Sequence, residues 1–265
     1  MSRFLRFAVP ALAAALAAGA AQSQVKSQPK AQEQAEACQP LYLVFATGDM
    51  QAARPIAQAL QRAKVQATFF AGNSPTGSEG DSALSRDWGD VWRLLGDDGH
   101  ALAVQPWDLP LLRGEMPRKR GGGFRVKVQA GVLAGSDYTW DAGKYCSALG
   151  EADRWMSFYS GRDALPLFHA PGGVITDKLE GAARSCGYAH VPWPEHFISS
   201  EGAQPGAIVL SHLGAQPGQS DEDTAKALEQ LLGGLKERGF CFKTLDQHPD
   251  YQQWVKQHPP KKAAE

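Results

Sequence analysis

The feature that most constrains the fold is an alternation of short apolar runs with segments of helical periodicity. The first run is LYLVFA, and the segment after it, AARPIAQALQRA, carries Ile56, Ala59, Leu60 and Ala63 on one helical face. Similar apolar runs follow: QATFFAG, HALAVQP, LPLFHAPGG, YAHVPW, GAIVLSH and FCFKTL. The other predicted helices are residues 90–99, 138–159, 178–186 and 224–238. Strands that alternate with helices favour an α/β fold with a parallel sheet, and about seven strands are enough to close into a barrel.

In such a barrel the functional side chains follow the carboxyl ends of the strands. This rule selects the residues directly after each apolar run. They are Ala46–Asp49, Gly72–Asn73, Gln105–Leu109, His169–Gly173, Trp193 and His212. The first apolar run has the pattern of an active-site strand, and such strands commonly end in carboxylates. This run ends in Ala46 instead, and Thr47 follows it.

The amino terminus has the pattern of an export signal. Arg3 and Arg6 precede an unbroken apolar run over residues 7–20, and small residues surround its end. A membrane span needs about 20 apolar residues, so the pattern favours a cleaved signal peptide over an anchor. Its style is bacterial, which predicts a periplasmic or secreted protein without a membrane span after cleavage.

The remaining chain divides by composition. A stretch rich in Gln, Ala and Lys predicts a disordered linker, and a polar, Pro-punctuated stretch at the other end predicts a tail that frays. The predicted organisation is a signal peptide at 1–21, a linker at 22–37, a folded domain at 38–247 and a polar tail at 248–265.

The four cysteines predict disulfides, because export exposes the chain to an oxidising compartment. Four cysteines allow three pairings. Cys38 precedes the first strand and Cys241 lies in the last one, and these strands are neighbours in a closed barrel. We therefore predict Cys38–Cys241, which leaves Cys146–Cys186 as the second bridge; free buried thiols are the alternative.

The charge balance limits the possible partners. The net charge of −1 gives no reason to expect a nucleic-acid partner. One basic, Gly-rich stretch, RGEMPRKRGGGFRVK at residues 113–127, stands out. We expect a solvated flexible loop there; contact with an anionic polymer is the alternative.

Six pieces of the sequence, in order, resemble the polysaccharide deacetylases, the NodB-homology family of carbohydrate esterases. They are VFATGD, KVQATFFAGN, GHALAVQPWDL, HAPGG, IVLSH and LKERGFCFKTL. The corresponding family patterns are T-F-D-D-G-P, A-T-F-F, G-H-E-I-G-N-H-[ST]-x-x-H, R-x-P-x-G, L-x-H and L-R-E-R-G-Y-x-F-x-T-L. The resemblance covers residues 41–246 and implies a distorted (β/α) barrel of about seven strands.

The sequence departs from the family where the chemistry should be. In the family, the first Asp of the opening motif is the general base, and the second Asp and two histidines bind a metal, often zinc, that activates water. Here the base position is Ala46, and the metal-ligand positions are Thr47, Gln105 and Leu109. Zinc prefers thiolate, imidazole or carboxylate ligands. The resemblance therefore implies no cofactor at these positions.

Other parts of the family site are partly kept. His212 retains the position of the general acid, and His169 replaces the motif arginine that orients the base. Pro171 and Gly173 are retained, whereas Gly172 stands where an aromatic side chain is usual. With Trp107 and Trp193, residues 171–173 form the predicted substrate-binding set.

Two features of this end of the barrel allow more than one interpretation. Trp107 and Trp193 fall at strand ends, where their rings would either stack on sugars or pack at the rim. Asp49 and Asp108 flank the lost positions and, together with His169 and His212, would rebuild a metal site; otherwise they are solvated turn residues. Zinc is predicted only for such a rebuilt site.

The leading hypothesis is an exported, catalytically degenerate deacetylase homologue. Such a protein would keep a cleft for a cell-wall or exported polysaccharide, or serve as a partner protein. The first alternative is an active deacetylase, hydrolysing the amide bond of an acetylated sugar with a rearranged site. The second is a purely structural exported protein.

Overall fold

The computed structural model describes residues 38–77, 82–117, 119, 122–193, 197–199, 201, 203–214 and 218–259. The predicted signal peptide at 1–21 and linker at 22–37 lie outside the described residues. Within the described part, none of the helices has the length and apolar character that a membrane crossing requires.

The described part of the chain contains ten strands and six α-helices. The strands are β1 (Gln39–Ala46), β2 (Thr68–Ala71), β3 (Ala101–Val104), β4 (Pro110–Glu115), β5 (Phe124–Val128), β6 (Asp137–Trp140), β7 (Leu167–Phe168), β8 (Ala189–His190), β9 (Ile208–His212) and β10 (Phe240–Phe242). The helices are α1 (Ala53–Ala63), α2 (Gly89–Asp97), α3 (Ala142–Ser160), α4 (Asp177–Ser185), α5 (Asp221–Glu237) and α6 (Gln252–Gln257).

Seven of these strands form one parallel sheet around β1. The pairing order is β10-β1-β2-β3-β7-β8, and β9 also pairs with β1. The first half of β1 pairs with β10 and its second half with β2, while residues 42–46 pair with β9. A bridge between Phe197 and Leu210 joins the segment after β8 to β9. The predicted distorted (β/α) barrel of about seven strands is confirmed.

Strand β1 shows how the sequence makes two cores. Successive side chains of a strand point to opposite faces. Leu43 and Phe45 face the helices and join the large core that contains α1 to α5. Tyr42, Val44 and Ala46 face the barrel interior and join a smaller core. An unbroken apolar run is therefore required, because both faces of β1 are buried.

The two ends of the basic stretch at residues 113–127 belong to strands, Pro110–Glu115 and Phe124–Val128, and are not the flexible loop that we expected. Strands β4, β5 and β6 form a separate antiparallel sheet with the order β4-β5-β6. Strand β5 alternates between buried Phe124, Val126 and Val128 and outward-facing Arg125 and Lys127. The helix predicted from residue 138 begins at Ala142, because residues 137–140 belong to β6. Its start is capped by the side chain of Asp141, which accepts from the Lys144 N–H.

Both predicted disulfides are present. Cys38 bonds Cys241, which joins the start of β1 to β10, and Cys146 bonds Cys186, which joins α3 to the end of α4. The described chain has no free cysteine.

The described part of the polar tail, residues 248–259, contains a helix and packs on the barrel, whereas we expected a tail that frays. Helix α6 lies in this segment, and Tyr251, Trp254 and Val255 pack against the interior core of the barrel. The Trp254 indole N–H donates to the Pro166 carbonyl at 3.1 Å. The tail therefore contributes apolar contacts to the barrel.

Candidate functional site

The end of β1 carries an apolar side chain at the position where the motif resemblance predicted a base. Ala46 is 1% exposed and packs in the interior core with Val44, Phe70 and Leu210. Its register partners are Phe70 on β2 and His212 on β9. A methyl group in this position can neither accept nor donate a proton.

The three family metal-ligand positions converge around the ends of β1, β2 and β3. The Thr47 hydroxyl lies 2.8 Å from the Ser74 hydroxyl and donates to Gln105 Oε1 at 3.4 Å. A Cβ on Gly72 would lie 3.2 Å from both Gln105 Cβ and Leu109 Cδ2. The three positions are therefore neighbours in the structure, and the groups that meet there are a hydroxyl, an amide and a methyl group.

This donor set does not fit zinc. Thr47 and Gln105 offer neutral oxygens that already hydrogen-bond within the protein, and Leu109 offers no donor atom. Structural zinc is held by four protein ligands and catalytic zinc by three, drawn from sulfur, imidazole nitrogen and carboxylate. Among the described residues, no three His, Cys, Asp or Glu side chains are grouped to hold a metal ion.

His169 is a fully buried histidine with one unpartnered nitrogen. Its ring contacts Phe70 at 3.8 Å between centroids and stacks on Trp193 at 4.5 Å. Nδ1 lies 2.6 Å from the Val191 carbonyl, which can only accept, so Nδ1 carries the proton. Nε2 has no hydrogen-bond partner among the described residues. Burial lowers the pKa of His169 to about 3, against the opposing effect of the Val191 hydrogen bond. The ring is therefore neutral near pH 7, and its low basicity makes it a poor proton acceptor.

Trp193, the second of the two predicted tryptophans, packs against the turn that follows β7. Gly173 has φ +69, and a Cβ there would lie 2.8 Å from Trp193 Cδ1. Glycine is thus needed for the indole to approach this backbone. The Trp193 N–H donates to the Ala170 carbonyl at 2.7 Å. Pro171 is buried, and Gly172 packs beside Leu111 of β4.

His212 stands at the position that the motif resemblance assigns to the general acid. Its side chain is half-buried at the end of β9, and its ring lies 5.5 Å from that of Phe197. Burial lowers its pKa, and a hydrogen bond to the Ala46 backbone opposes this shift. A general acid must be protonated at the working pH, so the lowered pKa makes His212 less suited to that role.

The two aspartates near the lost positions are engaged in separate turns. Asp49 Oδ1 accepts from the Gln51 N–H at 3.1 Å and faces Gly214. Asp108 Oδ1 accepts from the Asn73 amide at 2.7 Å. Both carboxylates stabilise the loops that surround the strand ends. The structure does not assemble them with His169 and His212 into the alternative metal cluster.

Solved structures of carbohydrate esterases share this arrangement of strands and helices. A family 4 carbohydrate esterase from Bacillus anthracis is 19% identical, with a TM-score of 0.58, over 85% of this chain and 94% of that one. A peptidoglycan deacetylase from Bacillus subtilis is 15% identical, with a TM-score of 0.56, over 82% and 92%. A family 4 pseudoenzyme from Bacillus anthracis is 16% identical, with a TM-score of 0.56, over 80% and 65%.

The chain has the fold of the family 4 carbohydrate esterases. No family model and no curated protein matches the sequence. At 15–19% identity, these likenesses establish the fold. The expectation of a NodB-type fold, which came from short motifs, is confirmed at that level.

The esterase fold brings some predicted residues together and separates others. Trp193 lies against His169, whereas the Trp107 ring stacks on Trp155 of α3 at 6.4 Å. Each tryptophan is half-buried and uses a ring face for protein packing. No pattern in the sequence indicated Ser74, whose hydroxyl meets that of Thr47, because Ser74 lies in a Gly- and Ser-rich loop without periodicity.

Proposed function

We propose that this chain is an exported, non-catalytic protein of carbohydrate-esterase fold that binds a polysaccharide without deacetylating it. The observation that carries the proposal is the buried Ala46 methyl at the base position. Without a base, water is not activated for attack on the acetamide. The neighbouring Thr47–Gln105 pair supplies no charged metal ligand that would compensate.

The solved neighbours support the proposal in one respect. One of them is itself described as a pseudoenzyme of the same fold family. A mutant of that pseudoenzyme is described as having restored enzymatic activity. This fold is therefore found in a protein without catalytic activity, and restoring the activity by mutation is a reasonable experiment.

Export is supported by the cysteines and by the amino-terminal pattern. All four cysteines are disulfide-bonded, and disulfides persist mainly in oxidising compartments. A polysaccharide is the proposed partner because Trp193 and residues 171–173, the predicted substrate-binding residues, meet at one end of the barrel. Trp193→Ala is expected to weaken glycan binding by about 1 kcal/mol, the scale of one aromatic contact, as measured by calorimetry.

The test is acetate release from acetylated chitin oligosaccharides and peptidoglycan fragments, with metal analysis of the mature protein. We expect no release, no stoichiometric zinc and no change in melting temperature after chelation. The comparison variant carries the four family residues together. Its substitutions are Ala46→Asp, Thr47→Asp, Gln105→His and Leu109→His. Metal-dependent acetate release by the wild type would contradict the proposal and support the active deacetylase instead.

A further inference from the structure

The outward face of the β4–β6 sheet carries a cleft that the proposed site does not use. Its volume is about 460 Å³, within the usual range of small-molecule sites. We call it the arginine cleft. Its lining residues are Arg113, Arg125, Asp137, Tyr138 and Thr139. We propose that the arginine cleft binds an acidic polysaccharide whose sugars carry carboxylates; this inference rests on the proposed polysaccharide-binding role.

The sheet holds these side chains in place. Arg125 pairs in register with Thr139, and Lys127 with Asp137. The pairing of β4 with β5 shifts between Leu112 and Gly114, where Arg113 is the extra residue. A Cβ on Gly114 would lie 3.0 Å from Arg125 Nη2, so this glycine lets the guanidinium lie against β4. The cleft is built on strands whose opposite face is buried in the core.

The charge of this segment differs from that of the chain. Residues 110–140 contain six Lys or Arg and two Asp or Glu, an excess of four positive charges, whereas the whole chain has a net charge of −1. Arg113 and Arg125 are both exposed. Neither forms an ion pair with a carboxylate among the residues that the structure describes. Two guanidinium groups are thus available to an anionic ligand.

The lining chemistry favours an acidic sugar over other polyanions. A guanidinium binds a carboxylate through two parallel hydrogen bonds. The hydroxyl of Thr139 and the carboxylate of Asp137 match sugar hydroxyls, since the carboxylate accepts hydrogen bonds from them. A nucleic acid or a phospholipid surface presents phosphates at high density, and Asp137 would repel them. A chain that alternates carboxylates with neutral hydroxyls suits both signs of charge.

The cleft also lies on a sheet that begins at the former catalytic end of the barrel. Strand β4 follows Leu109 directly, and Leu111 packs on Gly172. The backbone carbonyl of Asp108 accepts from the N–H groups of Gln129 and Ala130, which ties the end of β5 to the same loop. A polymer held by the arginine cleft would therefore be bound next to the barrel end.

The experiment measures binding of oligogalacturonate and of its fully methyl-esterified, neutral form. The test variant is Arg113→Gln/Arg125→Gln, and the matched control is Lys226→Gln/Lys256→Gln, which removes two exposed lysines from α5 and α6. We expect the wild type and the control to bind oligogalacturonate with affinity that falls as salt is added. The test variant and the methyl ester should each lose at least about tenfold in affinity.

The outcomes separate this inference from the proposed function. Binding of neutral and acidic chains with equal affinity, unaffected by the test variant, would overturn the arginine cleft and leave the proposed function intact. No binding to these chains or to cell-wall polysaccharide would overturn both. Parallel measurements use duplex DNA and phosphatidylglycerol vesicles. Tighter, arginine-dependent binding to either one than to oligogalacturonate would also overturn the inference, in favour of a phosphate ligand.

Discussion

Lowering the pH from 7.5 to 5.0 should destabilise the protein by about 4 kcal/mol through two buried histidines. Burial lowers the pKa of His169 from 6.5 to about 3. Burial likewise lowers the pKa of His100 from 6.5 to about 4, although the Asp98 charge raises it. The His100 ring is fixed as an acceptor, because Nδ1 accepts from the Ala67 N–H at 3.1 Å. Both rings must therefore stay neutral in the folded protein.

The sign and size of the effect follow from proton linkage. Below 6.5 the unfolded chain binds protons that the folded state does not, so stability falls as the pH falls towards the folded pKa values. This stabilisation is complete above the unfolded pKa. At pH 5.0 the pKa of each histidine in the unfolded chain is about 1.5 units above the pH. Each histidine therefore lowers the free energy of unfolding by about 2 kcal/mol.

The assay is urea unfolding with the disulfides intact at both pH values. The test variant is His169→Asn, which keeps a donor for the Val191 carbonyl, and its loss on acidification should fall by about 2 kcal/mol. The control is Trp193→Phe, which disturbs the same ring stack without removing a titrating group. It should be less stable at both pH values but lose as much as the wild type on acidification. Equal acid sensitivity of His169→Asn and the wild type would refute the reasoning.

Three further predictions concern covalent links, the tail and the lost chemistry. Replacing Cys38 and Cys241 by alanine should lower the free energy of unfolding in urea by up to about 5 kcal/mol, because this bridge closes a loop of 203 residues. Replacing Cys146 and Cys186 should lower it by up to about 4 kcal/mol, because that loop spans 40 residues. The reverse order of the two losses would contradict the loop-entropy argument. Trp254→Ala should lower the free energy of unfolding by about 2 kcal/mol in the same assay, since its half-buried indole packs against the interior core of the barrel. Any single one of the four family-restoring substitutions should leave acetate release undetectable, because a metal site needs at least three ligands and the reaction also needs a base.

The strand and helix periodicities predicted most of the barrel. Each segment of the parallel sheet was marked by an apolar run, because strands buried on both faces leave little room for polar residues. The β4–β6 sheet was missed, since its glycines and basic residues suggested a solvated loop. Its indication was the strict alternation of FRVKV, in which Phe124, Val126 and Val128 are buried. The tail was misjudged because its few large apolar residues, including Trp254, were outnumbered by polar ones.

The site was predictable only where a motif fixed it. Motif order brought Thr47, Gln105 and Leu109 to one end of the barrel, and the structure has them around Gly72. The unpartnered nitrogen of His169 and its contact with Trp193 depend on residues far apart in the chain. Periodicity carries no information on such contacts, so they required the folded structure.

The pairing of the first strand with the last one has a consequence for when the protein can fold. The first half of β1 pairs with β10, and a disulfide joins the two strands through cysteines that are 203 residues apart in sequence. Contacts of such separation form slowly, because a long loop must close first. Until the end of the chain has been synthesised, β1 keeps an open edge that can pair with other chains. A chain whose synthesis stalls before β10 is therefore prone to aggregate. A chain that is translocated unfolded would begin to fold only when β10 is available to pair with β1.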